Sequence, residues 1–217
     1  MYKLARHKKL TESCYSFFML HTNKIQKTEN LKNSVFVCAT DTLYGICTSA
    51  LSKKNVERIY ELKERTDTKP FIILIEDTRD LDKFGIKLTQ KERAFLDEIW
   101  PGKVSVVLPC PLKKFEYLHR GTESLAFRMP KKNSIRDILE VTGPLVAPSA
   151  NVEGEEPAQT VTEAREIFGD AVDVYISDGK LAGAPSTIIT FKDDKLVCLR
   201  EGAVAFEQLK EVFDSLS

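Results

Sequence analysis

VFVCATDTLYGI, residues 35–46, is the stretch from which the rest of the chain can be read. Val35, Phe36 and Val37 have the β-branched and aromatic composition of a buried strand. The chain then turns polar at Thr40-Asp41-Thr42 and reaches Tyr44-Gly45. A core strand that delivers three hydrogen-bonding side chains at its end is what a ligand site on a sheet edge requires. Taken alone, the stretch reads first as a strand running into an ordinary polar turn. Two later stretches shift that balance.

The second stretch, LVAPSAN (145–151), is a Leu-Val-Ala strand that sets Ser149 and Asn151 at its end. In the third, GAPSTIITF (183–191), a Gly/Pro turn places Ser186 and Thr187 at the start of a strand. Between the first two, Ser52 is a candidate N-cap for a helix over 53–65. Its apolar stripe of Val56, Ile59 and Tyr60 continues at helical spacing to Lys63. A lone lysine there would snorkel or cap the last carbonyls. Arg65 and Lys69-Pro70 follow, before the buried-looking strand FIILI (71–75). Three cations between a helix and a core strand make a candidate phosphate clamp. SLAFRM (124–129) alternates, with Ser124 and Arg128 on one face and Leu125 and Phe127 on the other. Ser124 and Arg128 are thus candidates for one pocket wall, although a solvent-facing edge strand would show the same alternation. Arg200 arrives beside Gly202 after a hairpin turn at Asp193-Asp194.

The remaining segments alternate helix and strand. Expected helices are a short one within 20–33 ending near Asn33, 78–84 ending at Gly85, and 133–142 ending at Gly143-Pro144. Thr89 and Glu92 form a capping box for a helix with Phe95, Leu96 and Ile99 inward, and Thr160 and Glu163 cap another. Strands are expected at 104–108 and 172–177, a polar loop at 111–123, and a closing amphipathic helix at 204–216. No repeat, low-complexity run or linker interrupts this order, so one α/β domain is the economical reading.

Bulk properties exclude several classes. Thirty-two basic residues balance 32 acidic ones, against a histone-like or acidic-tail protein. The five cysteines are scattered without a CxxC pair, which fits reduced thiols in the cytosol better than a disulfide frame or zinc site. Three histidines supply no metal cluster. No run of about 18 apolar residues is present to span a membrane. Basic residues before CYSFFML faintly imitate a signal peptide, but no small-residue cleavage site follows. The chain is expected to be cytoplasmic, with 1–18 a disordered extension and 19–217 the domain; Met19 could be the true start.

TDTLYG, KER with Pro70 seven residues after its lysine, WPGKVSVVL, LAFRMP, PSAN, PSTII and LREG follow one another in this order. Together they resemble the YrdC-type threonylcarbamoyl-AMP synthases over about residues 34–204. The resemblance implies a twisted, mixed α/β sheet flanked by helices, with a large concave, positively lined cavity. It implies a nucleotidyltransferase that combines L-threonine, bicarbonate or CO₂, and ATP with Mg²⁺ into threonylcarbamoyl-AMP and pyrophosphate. A separate threonylcarbamoyl transferase complex would then act on tRNA. Lys63, Arg65, Ser149, Asn151, Arg200 and Ser124 would bind ATP, and Thr40, Arg128, Ser186 and Thr42 would bind threonine. No acid or base is assigned, and the metal would be held through phosphates rather than by a carboxylate cage. The chain looks like the short, single-domain type. It departs from the family pattern at Ala39 and Thr66, where prolines are usual, and at Leu74, where some members have a histidine.

Three rival readings stand beside this one, and the retained KxR and SAN motifs argue against one of them, a YrdC-like paralogue acting on an unknown substrate. A non-catalytic binder of double-stranded RNA or tRNA could use the loop cations Lys113, Lys114 and Arg120, but the neutral overall charge weighs against it. A carbamoyl-transfer domain of hydrogenase maturation would be expected beside zinc-finger and acylphosphatase segments, which this sequence lacks.

Overall fold

The computed structural model describes residues 28–65 and 69–216. The proposed extension at 1–18 lies outside them. A 3₁₀ turn at Thr28–Asn33 leads into β1 (Phe36–Ala39). The Thr40–Leu43 turn then folds the chain back into β2 (Tyr44–Ser49), antiparallel to β1. Sequence reading missed β2, because Gly45 and the polar Thr48-Ser49 pair carry no strand signature. The pairing explains the glycine: a Cβ at Gly45 would sit 3.3 Å from the Pro148 carbonyl oxygen and 3.3 Å from Cys47 Sγ.

Helix α1 (Lys53–Leu62) stops three residues before the expected end, where Glu64 takes a left-handed φ of 48°. Strand β3 (Ile72–Leu74), a 3₁₀ turn at Thr78–Phe84 and α2 (Gln90–Ile99) follow. The Thr89/Glu92 capping box is present in full. After β4 (Val104–Pro109), the expected loop contains a 3₁₀ turn and a short helix, α3 (Glu116–His119). Then come β5 (Ser124–Arg128), α4 (Asn133–Thr142), β6 (Leu145–Val146), α5 (Val161–Phe168) and β7 (Val174–Tyr175). The chain closes with β8 (Thr187–Lys192), β9 (Lys195–Arg200) and α6 (Phe206–Ser215). Asp193 and Asp194, at φ 50° and 56°, make the β8–β9 turn.

The strands form one mixed sheet in the order β7-β1-β2-β6-β3-β5-β4-β8-β9. Its two faces are covered unequally. Side chains of α1, α2, α3, α5 and α6, including Ile59, Phe95, Leu118, Phe168 and Phe213, pack into the larger core. The opposite face is covered by α4 through Ile135, Ile138 and Leu139, together with Leu31 from the first 3₁₀ turn. Ile72 and Ala147 sit at the margin of that smaller core and also line a cavity. The sheet therefore presents a partly uncovered face, and that face carries the site.

Candidate functional site

The cavity holds about 180 Å³ and is lined by residues from six separate segments. It takes an amino-acid-sized ligand whole and a nucleotide only in part, since drug-sized sites run to roughly 300–1,000 Å³. It is smaller than the large concavity expected. Its charged lining residues among the described residues are Arg65, Arg128 and Arg200.

Thr40 organises the Thr40–Leu43 turn. Its hydroxyl donates to the Leu43 carbonyl at 2.8 Å and accepts from the amides of Thr42 and Leu43. The turn thereby presents Thr42, whose Oγ1 accepts from Arg128 Nη1 at 3.0 Å. Arg128 is 4% exposed. By register it lies level with Leu74, each the last residue of its strand in the parallel pair β5 and β3, so Arg128 enters the cavity from a strand end. Arg128 Nη2 approaches Asp41 Oδ1 at 3.3 Å, yet neither Asp41 Oδ1 nor Arg128 Nε makes a hydrogen bond. Burial lowers the Arg128 pKa, the nearby Asp41 charge opposes that, and Arg200 adds to the lowering. Asp41 is the site residue to which sequence reading gave no role.

Ser186 is 2% exposed, and its Oγ lies 2.8 Å from the Oγ of the fully buried Ser105 on β4. Ser105 is a second residue missed; it looks like any small residue in a buried strand until β8 pairs beside it. The Ser186 carbonyl accepts from Arg200 Nη2 at 2.7 Å. A bulge sets this up: Ile188 pairs with Arg200 and Ile189 with Cys198, leaving Leu199 as the extra residue. Burial lowers the Arg200 pKa.

The structure brings Thr40, Thr42, Arg65, Arg128, Ser149, Ser186 and Arg200 to one cavity, and places three expected residues elsewhere. Lys63, at 1% exposure, is not on the lining. Its Nζ donates to the Ser149 carbonyl at 2.6 Å, to the Asn151 carbonyl, and to Asn151 Oδ1 at 3.4 Å. Burial first, then Arg65, push its pKa down to about 7, against a raising pull from Glu153. Asn151 is consumed in the same network: Oδ1 accepts from Ser149 Oγ at 2.6 Å, and Nδ2 donates to the carbonyls of Val152 and Glu155. Lys63 and Asn151 therefore fasten the turn that presents Ser149. Ser124, at the other end of β5 from Arg128, bonds Thr122 Oγ1 at 3.3 Å and does not reach the cavity. Four residues of strand put it roughly 13 Å away.

The loop cations that motivated an RNA-binding reading are partly consumed. Arg120 is paired with Glu57 and lies over the Tyr60 ring, its side chain 13% exposed.

The family profile Sua5/YciO/YrdC, described as telomere recombination, matches residues 30–202. A putative threonylcarbamoyl-AMP synthase of Methanocaldococcus jannaschii is 33% identical over 186 residues, 84% of this chain and 86% of that protein. The threonylcarbamoyl-AMP synthase of Bacillus subtilis is 31% identical over 185 residues, 83% of this chain and 53% of that protein. The crystal structure of Pyrococcus abyssi Sua5 complexed with L-threonine superposes with a TM-score of 0.80 at 26% identity, covering 87% of this chain and 56% of that one. The chain thus spans about half the length of the B. subtilis and P. abyssi relatives.

Proposed function

The chain belongs to the Sua5/YciO/YrdC family, and on that premise we propose that it is a threonylcarbamoyl-AMP synthase. It joins L-threonine, bicarbonate or CO₂, and ATP into threonylcarbamoyl-AMP and pyrophosphate. The observation that carries this reading is the convergence of three arginines and four hydroxyl side chains from six segments on one cavity. Two of the three substrates are anions and the third becomes one.

Arg128 takes the threonine carboxylate. Its guanidinium lines the cavity, where a carboxylate would accept charge-assisted hydrogen bonds from it. Thr42 and Ser186 complete this pocket, with Thr40 shaping it from behind. Arg65, Arg200 and Ser149 face the phosphates, and Lys63 and Asn151 act through the Ser149 turn. The threonine amine, as the free base, bonds the carbon of CO₂ and gives up a proton to solvent to leave a carbamate. A carbamate oxygen then bonds the α-phosphorus, and the bond to the β-phosphate breaks to release pyrophosphate. Arginine charge beside these anions lowers the barrier, and fixing the partners together supplies further acceleration.

Magnesium fits as a phosphate-bound ion. The described lining contains no carboxylate or histidine, and among the described residues no three His, Cys, Asp or Glu gather to cage a metal. Mg²⁺ keeps several waters and binds chiefly through substrate phosphates in such sites, where it neutralises phosphate charge. The product would pass to a threonylcarbamoyl transferase complex acting on tRNA in the cytoplasm. No described helix is long and apolar enough to cross a membrane.

The test is pyrophosphate release from ATP and Mg²⁺ with threonine and bicarbonate omitted in turn. Release that needs both is expected. Release without threonine would mean a different acceptor. No release, with salt-sensitive binding of tRNA, would favour the non-catalytic RNA module.

A further inference from the structure

Arg65 stands at the inner end of a stack that begins at the protein surface. The Glu57 carboxylate accepts from Arg120 Nη1 at 3.2 Å and from Nη2 at 2.5 Å. The Arg120 guanidinium carbon lies 3.8 Å from the centroid of the Tyr60 ring. Tyr60 stacks on Phe71, with centroids 4.0 Å apart and planes at 24°. The Arg65 guanidinium carbon lies 5.1 Å from the Phe71 centroid. A second route joins the same residues: the Tyr60 phenol donates to the Lys69 carbonyl at 3.0 Å, and Arg65 Nε donates to that carbonyl at 3.1 Å. Tyr60 and Phe71 are each 3% exposed. Phe71 and Arg65 line the cavity, whereas Glu57, Tyr60 and Arg120 do not.

We propose that Tyr60 and Arg120 are positioning residues for Arg65, so that a planar stack outside the cavity sets how strongly the cavity grips the ATP phosphates. The inference rests on the reading that Arg65 meets phosphate. Its physical basis is rotamer entropy. An arginine free in solvent gives up much of its side-chain freedom on seizing an anion. A guanidinium already held over an aromatic face, with Nε committed to a carbonyl, has lost much of that freedom beforehand. The Glu57 partner fixes Arg120 in the plane that stacking on Tyr60 needs, and Arg120 in turn confines Tyr60 from the outside. The effect should therefore fall on ATP and spare threonine, whose proposed ligands Arg128, Thr42 and Ser186 lie outside the stack.

The experiment uses the full chain. Calorimetric titration with Mg·ATP, without threonine, is run on Arg120→Gln, Tyr60→Phe, Arg65→Gln and the Arg120→Gln/Arg65→Gln pair. Pyrophosphate release then gives KM for ATP and for threonine. Arg120→Gln is expected to weaken ATP about three- to tenfold with the threonine KM unchanged, and Arg120→Lys to recover part of the loss. In the Arg65→Gln background, Arg120→Gln should cost nothing more. ATP binding unchanged by Arg120→Gln while Arg65→Gln weakens it overturns the inference alone. Equal, additive losses from Arg120→Gln with and without Arg65 also overturn it. Unchanged ATP binding by Arg65→Gln instead overturns the assignment of Arg65 to phosphate. Should Arg120→Gln fail to fold, Tyr60→Phe decides, since it removes the hydroxyl that donates to Lys69: a two- to fivefold loss, about the size of one hydrogen bond, supports the inference, and no loss counts against it.

Discussion

At Lys63, burial and hydrogen bonding pull one proton in opposite directions. Burial, then Arg65, lower its pKa to about 7, while acceptors on Ser149 and Asn151 hold the charged form. A folded-state pKa below the unfolded value means the unfolded chain binds more protons between about pH 7 and the ordinary lysine value near 10.4, so stability should rise with pH across that window. Urea unfolding of the parent chain and of Lys63→Met at pH 7 and pH 9 isolates this group, because other titrations cancel. The parent should gain up to about 1.4 kcal/mol per pH unit over the variant. Parallel pH dependences would show that the acceptors outweigh burial. Asp41 poses the complementary case. It and Arg128 have side chains only 6% and 5% exposed, so Asp41→Asn strands a buried charge and should cost about 3 kcal/mol in the same assay. A loss under 1 kcal/mol would mean that Arg128 is neutralised elsewhere. Neither role is visible in the sequence. The helical stripe does turn Lys63 inward, but its acceptors lie 86 and 88 positions away, and no local pattern encodes them.

The site elements meet through close backbone approaches that only glycine permits. Gly183 precedes β8 and presses on the Thr40–Leu43 turn: a Cβ there would fall 2.3 Å from the Thr42 carbonyl oxygen and 3.3 Å from its carbon. Backbone cannot yield as a flexible side chain does, so Gly183→Ala should displace the turn that sets Thr42 against Arg128. We expect about 1–3 kcal/mol of destabilisation and a threonine KM raised at least tenfold. Gly154→Ala is the control, since no atom lies within 4 Å of its added Cβ, although its φ of 94° carries its own strain. Equal threonine kinetics in the two variants would exclude the turn as the cause. Elements with strong local signals were legible: the Thr89/Glu92 box, the helix over 133–142, and the Asp193-Asp194 turn all stand where their residues put them. Strand β2 was not, because it is recognised by partners on both sides rather than by its own alternation. The ordered motifs forecast which segments converge, but Ser124 shows the limit of facing rules. It shares a strand with Arg128, and the cavity does not extend that far.

Over the whole molecule, the uneven cover of the sheet decides where ligand can go, and ligand binding should feed back on global stability. The proposed threonine ligands sit on the β1–β2 turn, on β5 and just before β8; the proposed phosphate ligands sit after α1, after β6 and at the end of β9. These segments span most of the sheet order, so neither ligand finds its site in an unfolded chain. A ligand at one hundred times its Kd should therefore add about 2.7 kcal/mol, a rise in Tm of roughly 5–10 °C for a chain of this size. The two ligands should separate by residue. In Arg128→Gln the baseline Tm falls, because Asp41 loses its partner, and the further rise on adding threonine is lost. The rise on adding Mg·ATP survives. In Arg65→Gln the pattern reverses. Thermal unfolding of the two variants, each with and without each ligand, gives the four shifts directly. If both variants lose both shifts, the cavity acts as a single undivided site, and assigning Arg128 to the amino acid and Arg65 to the nucleotide is wrong.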